Sequence, residues 1–190
     1  MLLNAEQLLA IARKYWPADM ETYLSLETSS VYARLEDLWT RELEKMDRWQ
    51  AFVTALGKDL PDWLVGNVTA PGDGSLRCAA YSRDELMPPN VELIVVGCVS
   101  VLAPVYTIYG MHCECRGRKR IRKTLFFDSL PSEMQAPAEA MARRIMTTFD
   151  VHALPREIAE TRIPLFVYPV MPPDTTLFHA LFISDPERVH

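Results

Sequence analysis

A chain of 190 residues that is 49% hydrophobic and 24% charged is long enough for one well-buried core and too apolar for a disordered segment. Its net charge of −5 argues against general nucleic-acid affinity. Its four cysteines are unevenly spaced behind a start that lacks the layout of a secretory signal, which fits reduced thiols in a cytoplasm better than a disulfide framework. One domain over residues 1–190 is expected, helical over 1–60 and built on a sheet over 63–190.

The elements follow in chain order. Asn4 with Gln7 is a capping-box start, and Leu8, Ile11, Ala12, Tyr15 and Trp16 share one face before Pro17 ends a short helix. From Val31 to Leu56 apolar residues recur at spacings of three and four (Val31, Leu35, Leu38, Trp39, Leu43, Met46, Trp49, Val53, Leu56). This predicts one long amphipathic helix ended by Gly57 and Pro61. Its outward face alternates in sign through Arg34, Asp37, Arg41, Glu44, Lys45 and Arg48. The period then becomes strand-like: "WLVGNVT" and "LRCAAYS" flank the turn residues "APGDG" and read as a hairpin.

The run from Leu93 to Met111 is uncharged over 19 residues, near the length of a membrane-spanning helix. Its β-branched and aromatic content, with Ala103-Pro104 in the middle, predicts instead two long strands, Val91 to Val101 and Val105 to Cys115. "IRKTLFF" adds a third strand. A helix over about 132–149 follows, capped by Ser132 with Gln135 reaching back, and with a buried stripe of Met134, Ala138, Met141, Ile145 and Phe149. "IPLFVYPV" and "TLFHALFIS" read as a closing pair of strands. The expected fold is α+β: a largely antiparallel sheet of six to seven strands, N-terminal helices, and one helix inserted between strands.

The stretch "HCECRGRKRIRK", from His112 to Lys123, carries the densest chemistry. Cys113 and Cys115 alternate with His112 and Glu114 on a strand, so the four cannot converge on one metal, and no second ligand pair stands nearby; no metal and no cofactor are expected. Residues 116–123 hold six of the 20 Lys and Arg and no acid. The other 14 bases face all 25 acids, a balance of −11. Arg118, Lys119 and Arg120 are the candidate contacts for phosphate or an acidic partner, against the reading that they solvate a hairpin tip. Glycine-rich phosphate loops, Gly-x-Ser-x-Gly and His-Glu-x-x-His are absent, so no catalytic residue is named. A pairing of His179 with Cys78 or Cys98 is the one constellation worth testing.

"VVGCVSVLAPVYTIYG", "LPSEMQAPAEAMARRIMTTF" and "TLFHALF", within residues 60–185, resemble small bacterial α+β proteins of the kind that act as immunity proteins in polymorphic toxin systems. The resemblance implies a protein that binds and blocks a cognate toxin; the expected function is a non-catalytic inhibitor that occludes a basic toxin site, with no membrane partner. It assigns no residues. The long helix supplies candidate contacts for a basic partner: Glu36, Asp37, Glu42, Glu44 and Asp47. The alternatives are a small enzyme with a Cys/His pocket and a nucleic-acid-associated regulator that uses the basic tip.

Overall fold

Two apolar runs that cannot face water on either side form the centre of the molecule. In the computed structural model, which describes residues 3–83, 88, 90–117 and 119–189, they are β3 (Val91–Ser100) and β4 (Val105–Arg116), joined by a turn through Ala103-Pro104. β1 (Trp63–Asn67), β2 (Ser75–Ser82) and β5 (Lys119–Phe126) complete an antiparallel meander ordered β1-β2-β3-β4-β5. β6 (His152–Ala153) adds two residues parallel to β4, making six strands among the described residues. The fold is the expected α+β arrangement, and no helix among the described residues is long and apolar enough to cross a membrane.

Both faces of the sheet are covered, which explains why β3 lacks polar alternation. One face carries α4 (Met46–Asp59) and α5 (Ser132–Thr148). Glycine lets α5 approach closely here: a Cβ on Gly97 would lie 2.4 Å from Met141 Sδ, and one on Gly110 would lie 2.5 Å from Met134 Sδ. Trp49 stacks on Phe52, Phe149 at the end of α5 meets both rings at an angle, and Arg144 of α5 pairs with Asp59 of α4 at 2.7 and 2.8 Å. The opposite face carries the C-terminal segment, with α6 (Arg156–Ala159) and α7 (Leu177–Leu181), and behind it α1 (Ala5–Ala12). Tyr109 donates its hydroxyl to Pro186 O at 3.0 Å, Ser75 donates to Phe182 O at 2.8 Å, and Trp16 donates its indole N–H to Ala180 O at 2.8 Å.

Three expectations are corrected. The long helix is two, α3 (Ser30–Leu43) and α4, separated at Glu44 and Lys45 by three-residue hydrogen bonds and an i,i+3 pair between Lys45 and Glu42. A straight helix from Val31 to Leu56 would be about 39 Å long, beyond the roughly 33 Å of a ten-residue strand. The bend leaves Leu43 47% exposed and returns Trp49, Phe52, Val53 and Leu56 to the core. "IPLFVYPV" and "TLFHALFIS" are not paired strands. Pro164 and Pro169 remove ladder donors from the first, which makes only isolated bridges, although Ile163, Leu165 and Val167 do alternate inward. The second forms α7, because Leu177, Phe178, Ala180 and Leu181 bury at helical spacing. Finally, Ser132 does not cap α5. Pro131 occupies the N-cap position, Ser132 bonds Glu133, and Gln135 donates to Leu130 O.

Candidate functional site

Two cations of the basic stretch, Arg120 and Lys123, hold other parts of the chain, while Arg116, Lys119 and Arg122 are exposed. Between Glu114 and Cys115 the β4–β5 register shifts: Glu114 faces Arg122 and Cys115 faces Arg120, so Ile121 is the extra residue of a bulge. Regular alternation would set Arg120 and Lys123 on opposite faces; the bulge brings both to the face carrying the C-terminal segment. There Arg120 makes a two-point pair with Glu92 at 2.6 and 3.2 Å, donates to Val189 O at 2.6 Å, and lies 5.7 Å from the centre of the Tyr81 ring. Lys123 donates to Glu187 O at 2.7 Å. Arg120 is therefore a latch for the chain end rather than part of a solvated tip. Lys119 and Arg122 point to solvent, and Arg118 lies outside the described residues.

The expected acidic contacts divide. Glu36, Asp37, Glu44 and Asp47 are exposed, while Glu42 is half-buried and held by Lys45 at 3.0 Å. Exposed Arg34, Arg41, Lys45 and Arg48 interleave with them, so the α3–α4 surface carries both signs and has little net field.

Three of the four thiols are buried. Cys78 and Cys98 project from opposite faces of the sheet, since Cys78 pairs with Gly97 and Arg77 with Cys98. Burial pushes the Cys78 thiol far up, the Cys98 thiol to about 12 and the Cys113 thiol to about 11. Among the described residues no three of His, Cys, Asp and Glu gather as metal ligands. The Cys–His pairing is not formed: His179 sits in α7, where its Nδ1 accepts from Thr176 N at 3.1 Å and lies 3.0 Å from Thr176 Oγ1. Native protein should show at most one thiol, Cys115, reacting rapidly with a disulfide reagent, and four after unfolding. Prompt reaction of two or more would contradict this burial.

His179 also makes stability pH-dependent. Desolvation, and then the charge of Arg156, holds its pKa below the ordinary 6.5. The unfolded chain therefore takes up this proton first as pH falls: the contribution is complete above about pH 6.5 and is lost as pH drops toward the folded-state value. Glutamine at the same helical position can also close a capping box. His179→Gln should keep the helix and flatten the slope of thermal midpoint against pH below about pH 6.5. An unchanged slope would show that His179 is not the titrating group.

What sequence reasoning missed is a surface. From Tyr15 to Ala33 the chain carries three acids, Asp19, Glu21 and Glu27, and no base. Every residue of α2 (Met20–Leu24) is at least partly exposed, with Leu24 78% and Met20 48% open. Asp19 caps this helix by accepting from Thr22 N at 2.7 Å and Thr22 Oγ1 at 3.0 Å, which lowers its pKa. Tyr23 stacks on Phe166 with ring centres 5.2 Å apart, and Phe166 N donates to Pro17 O at 2.9 Å. These contacts pin α2 to the uncharged loop 163–173, whose Tyr168 is 72% and Met171 43% exposed. The most exposed large apolar side chains among the described residues, Leu24 and Tyr168, thus belong to two adjoining segments that carry only negative charge.

No match is found for this chain among protein-family models, curated proteins or solved structures.

Proposed function

We propose that the protein acts by stoichiometric binding of a basic protein partner, and that the surface formed by α2 and loop 163–173 is where the partner docks. The supporting observation is that α2, with Met20 and Leu24 exposed among Asp19, Glu21 and Glu27, is held through Tyr23 and Phe166 to the loop that exposes Tyr168 and Met171. Exposed aromatic and aliphatic anchors bordered by one sign of charge are what a specific interface requires: the apolar groups supply affinity, and the charge supplies steering. The resemblance to immunity proteins accords with this reading, the partner then being a toxin whose basic site is covered. The proposed docking surface lies on α2 rather than on the mixed α3–α4 face.

Photo-crosslinkable residues at positions 24, 168 and 64 test the placement. Leu64, 64% exposed on the sheet-edge strand β1, is the control. Positions 24 and 168 should trap the same basic protein in the native host, position 64 should not, and Glu21→Lys with Glu27→Lys should abolish the product. Equal trapping at all three positions would refute the assignment.

A further inference from the structure

Arg77 is a buried cation whose partners do not satisfy it. It stands on β2 with 4% of its side chain exposed, and its Nη2 donates to Asp73 Oδ2 at 2.7 Å. Its Nε and Nη1 are buried and have no hydrogen-bond partner among the described residues. A guanidinium carries five N–H donors and cannot release its proton, so an acceptor is needed on its unused sides. Arg77 forms part of the wall of a cavity of about 490 Å³, together with Asp73, Tyr168, Ile183, Asp185 and Arg188.

The cavity is rigidly framed. Trp39 donates its indole N–H to Asp73 O at 2.9 Å, and Ser100 donates to Gly74 O at 3.2 Å. Gly74 lies so close to α7 that a Cβ would sit 2.6 Å from Ala180 O. These contacts hold the backbone at Asp73 and Gly74, and the Asp73 carboxylate meets the guanidinium through Nη2 alone. That carboxyl is also raised above the ordinary carboxylate range, first by burial and then by Asp185, against the opposing pull of Arg77 and Arg188. A carboxylate held in that way only partly answers the Arg77 charge.

We infer that this cavity is a binding site for a small carboxylate with an apolar body, its oxygens accepting from Arg77 and its body lying against Tyr168, Pro169 and Ile183. A planar guanidinium matches a planar carboxylate, and Arg188 on the rim adds long-range attraction. The site is independent of the proposed partner surface in its chemistry, although Tyr168 borders both.

Benzoate and inorganic phosphate are the probes, titrated calorimetrically into the full-length protein, with Arg77→Lys, Arg188→Gln and Arg122→Gln variants alongside. Benzoate should bind saturably with one-to-one stoichiometry. Arg188→Gln, at an exposed position that leaves the core intact, should weaken it about tenfold. Arg77→Lys should abolish it, and Arg122→Gln should leave it unchanged. Absence of saturable benzoate binding to the parent protein, or equal binding by the parent and Arg188→Gln, would overturn the inference. Tighter binding of phosphate than of benzoate would overturn the carboxylate assignment. A crystal structure with waters on both Nε and Nη1 that benzoate does not displace would do the same.

Discussion

Gly74→Ala is expected to destabilise the protein by about 3 kcal/mol, the upper end for overpacking, because the new methyl would meet backbone rather than yielding side chain. Its Cβ would lie 2.6 Å from Ala180 O and 2.8 Å from Leu181 O, and neither can move without shifting α7. α7 in turn receives the Trp16 hydrogen bond that ties the N-terminal helix to the C-terminal segment. In a chain of this length the thermal midpoint should fall by roughly 6–12 °C. Gly66→Ala is the control, since nothing lies within 4 Å of its added Cβ; it should stay within about 0.5 kcal/mol. A Gly74→Ala variant as stable as the Gly66→Ala control would show that α7 and the 70–74 turn are not packed as described.

Arg120→Ala should cost about 2–3 kcal/mol, because hydrogen bonds to charged groups are the strong ones and Glu92 would be left without its two-point partner. The Val189 carbonyl would lose its donor at the same time, freeing the chain end. Arg122→Ala, two residues away, removes a 3.6 Å contact between side chains 73% and 47% exposed and should change stability by less than about 0.5 kcal/mol. Denaturant unfolding of the two variants separates the readings. Equal small effects would restore the view of the whole stretch as a solvated tip, while a large loss for Arg122→Ala would show packing where the side chain appears open.

The strands β1 to β5 and the first helix were legible because their signals are local. Asn4 and Gln7 form the predicted capping box, and the turn residues from Ala70 to Gly74 and at Ala103-Pro104 bound strands where expected. The two-helix break was not legible, since the apolar spacing runs across Glu44 and Lys45 without interruption and only the size of the sheet forces the bend. α7 carried an unread sign: Thr176 with His179 three residues on is a capping pair in which imidazole replaces the usual glutamate. The bulge that turns Arg120 inward leaves no trace in composition, and it changed the reading of Arg120 and Lys123 while Arg116, Lys119 and Arg122 stay exposed. The surface on α2 was obscured for another reason. Its acids and apolar residues are unremarkable alone, and they acquire meaning only when Phe166, more than 140 positions along the chain, stacks against Tyr23.

The most direct test of binding through α2 is the association rate with the crosslinked partner, measured by stopped flow from low to physiological salt. Steering by Asp19, Glu21 and Glu27 predicts an on-rate that falls about tenfold across that range while dissociation changes little, and a salt response that is lost in the Glu21→Lys, Glu27→Lys variant. A salt-independent on-rate, or a double variant that associates like the parent protein, would contradict the account.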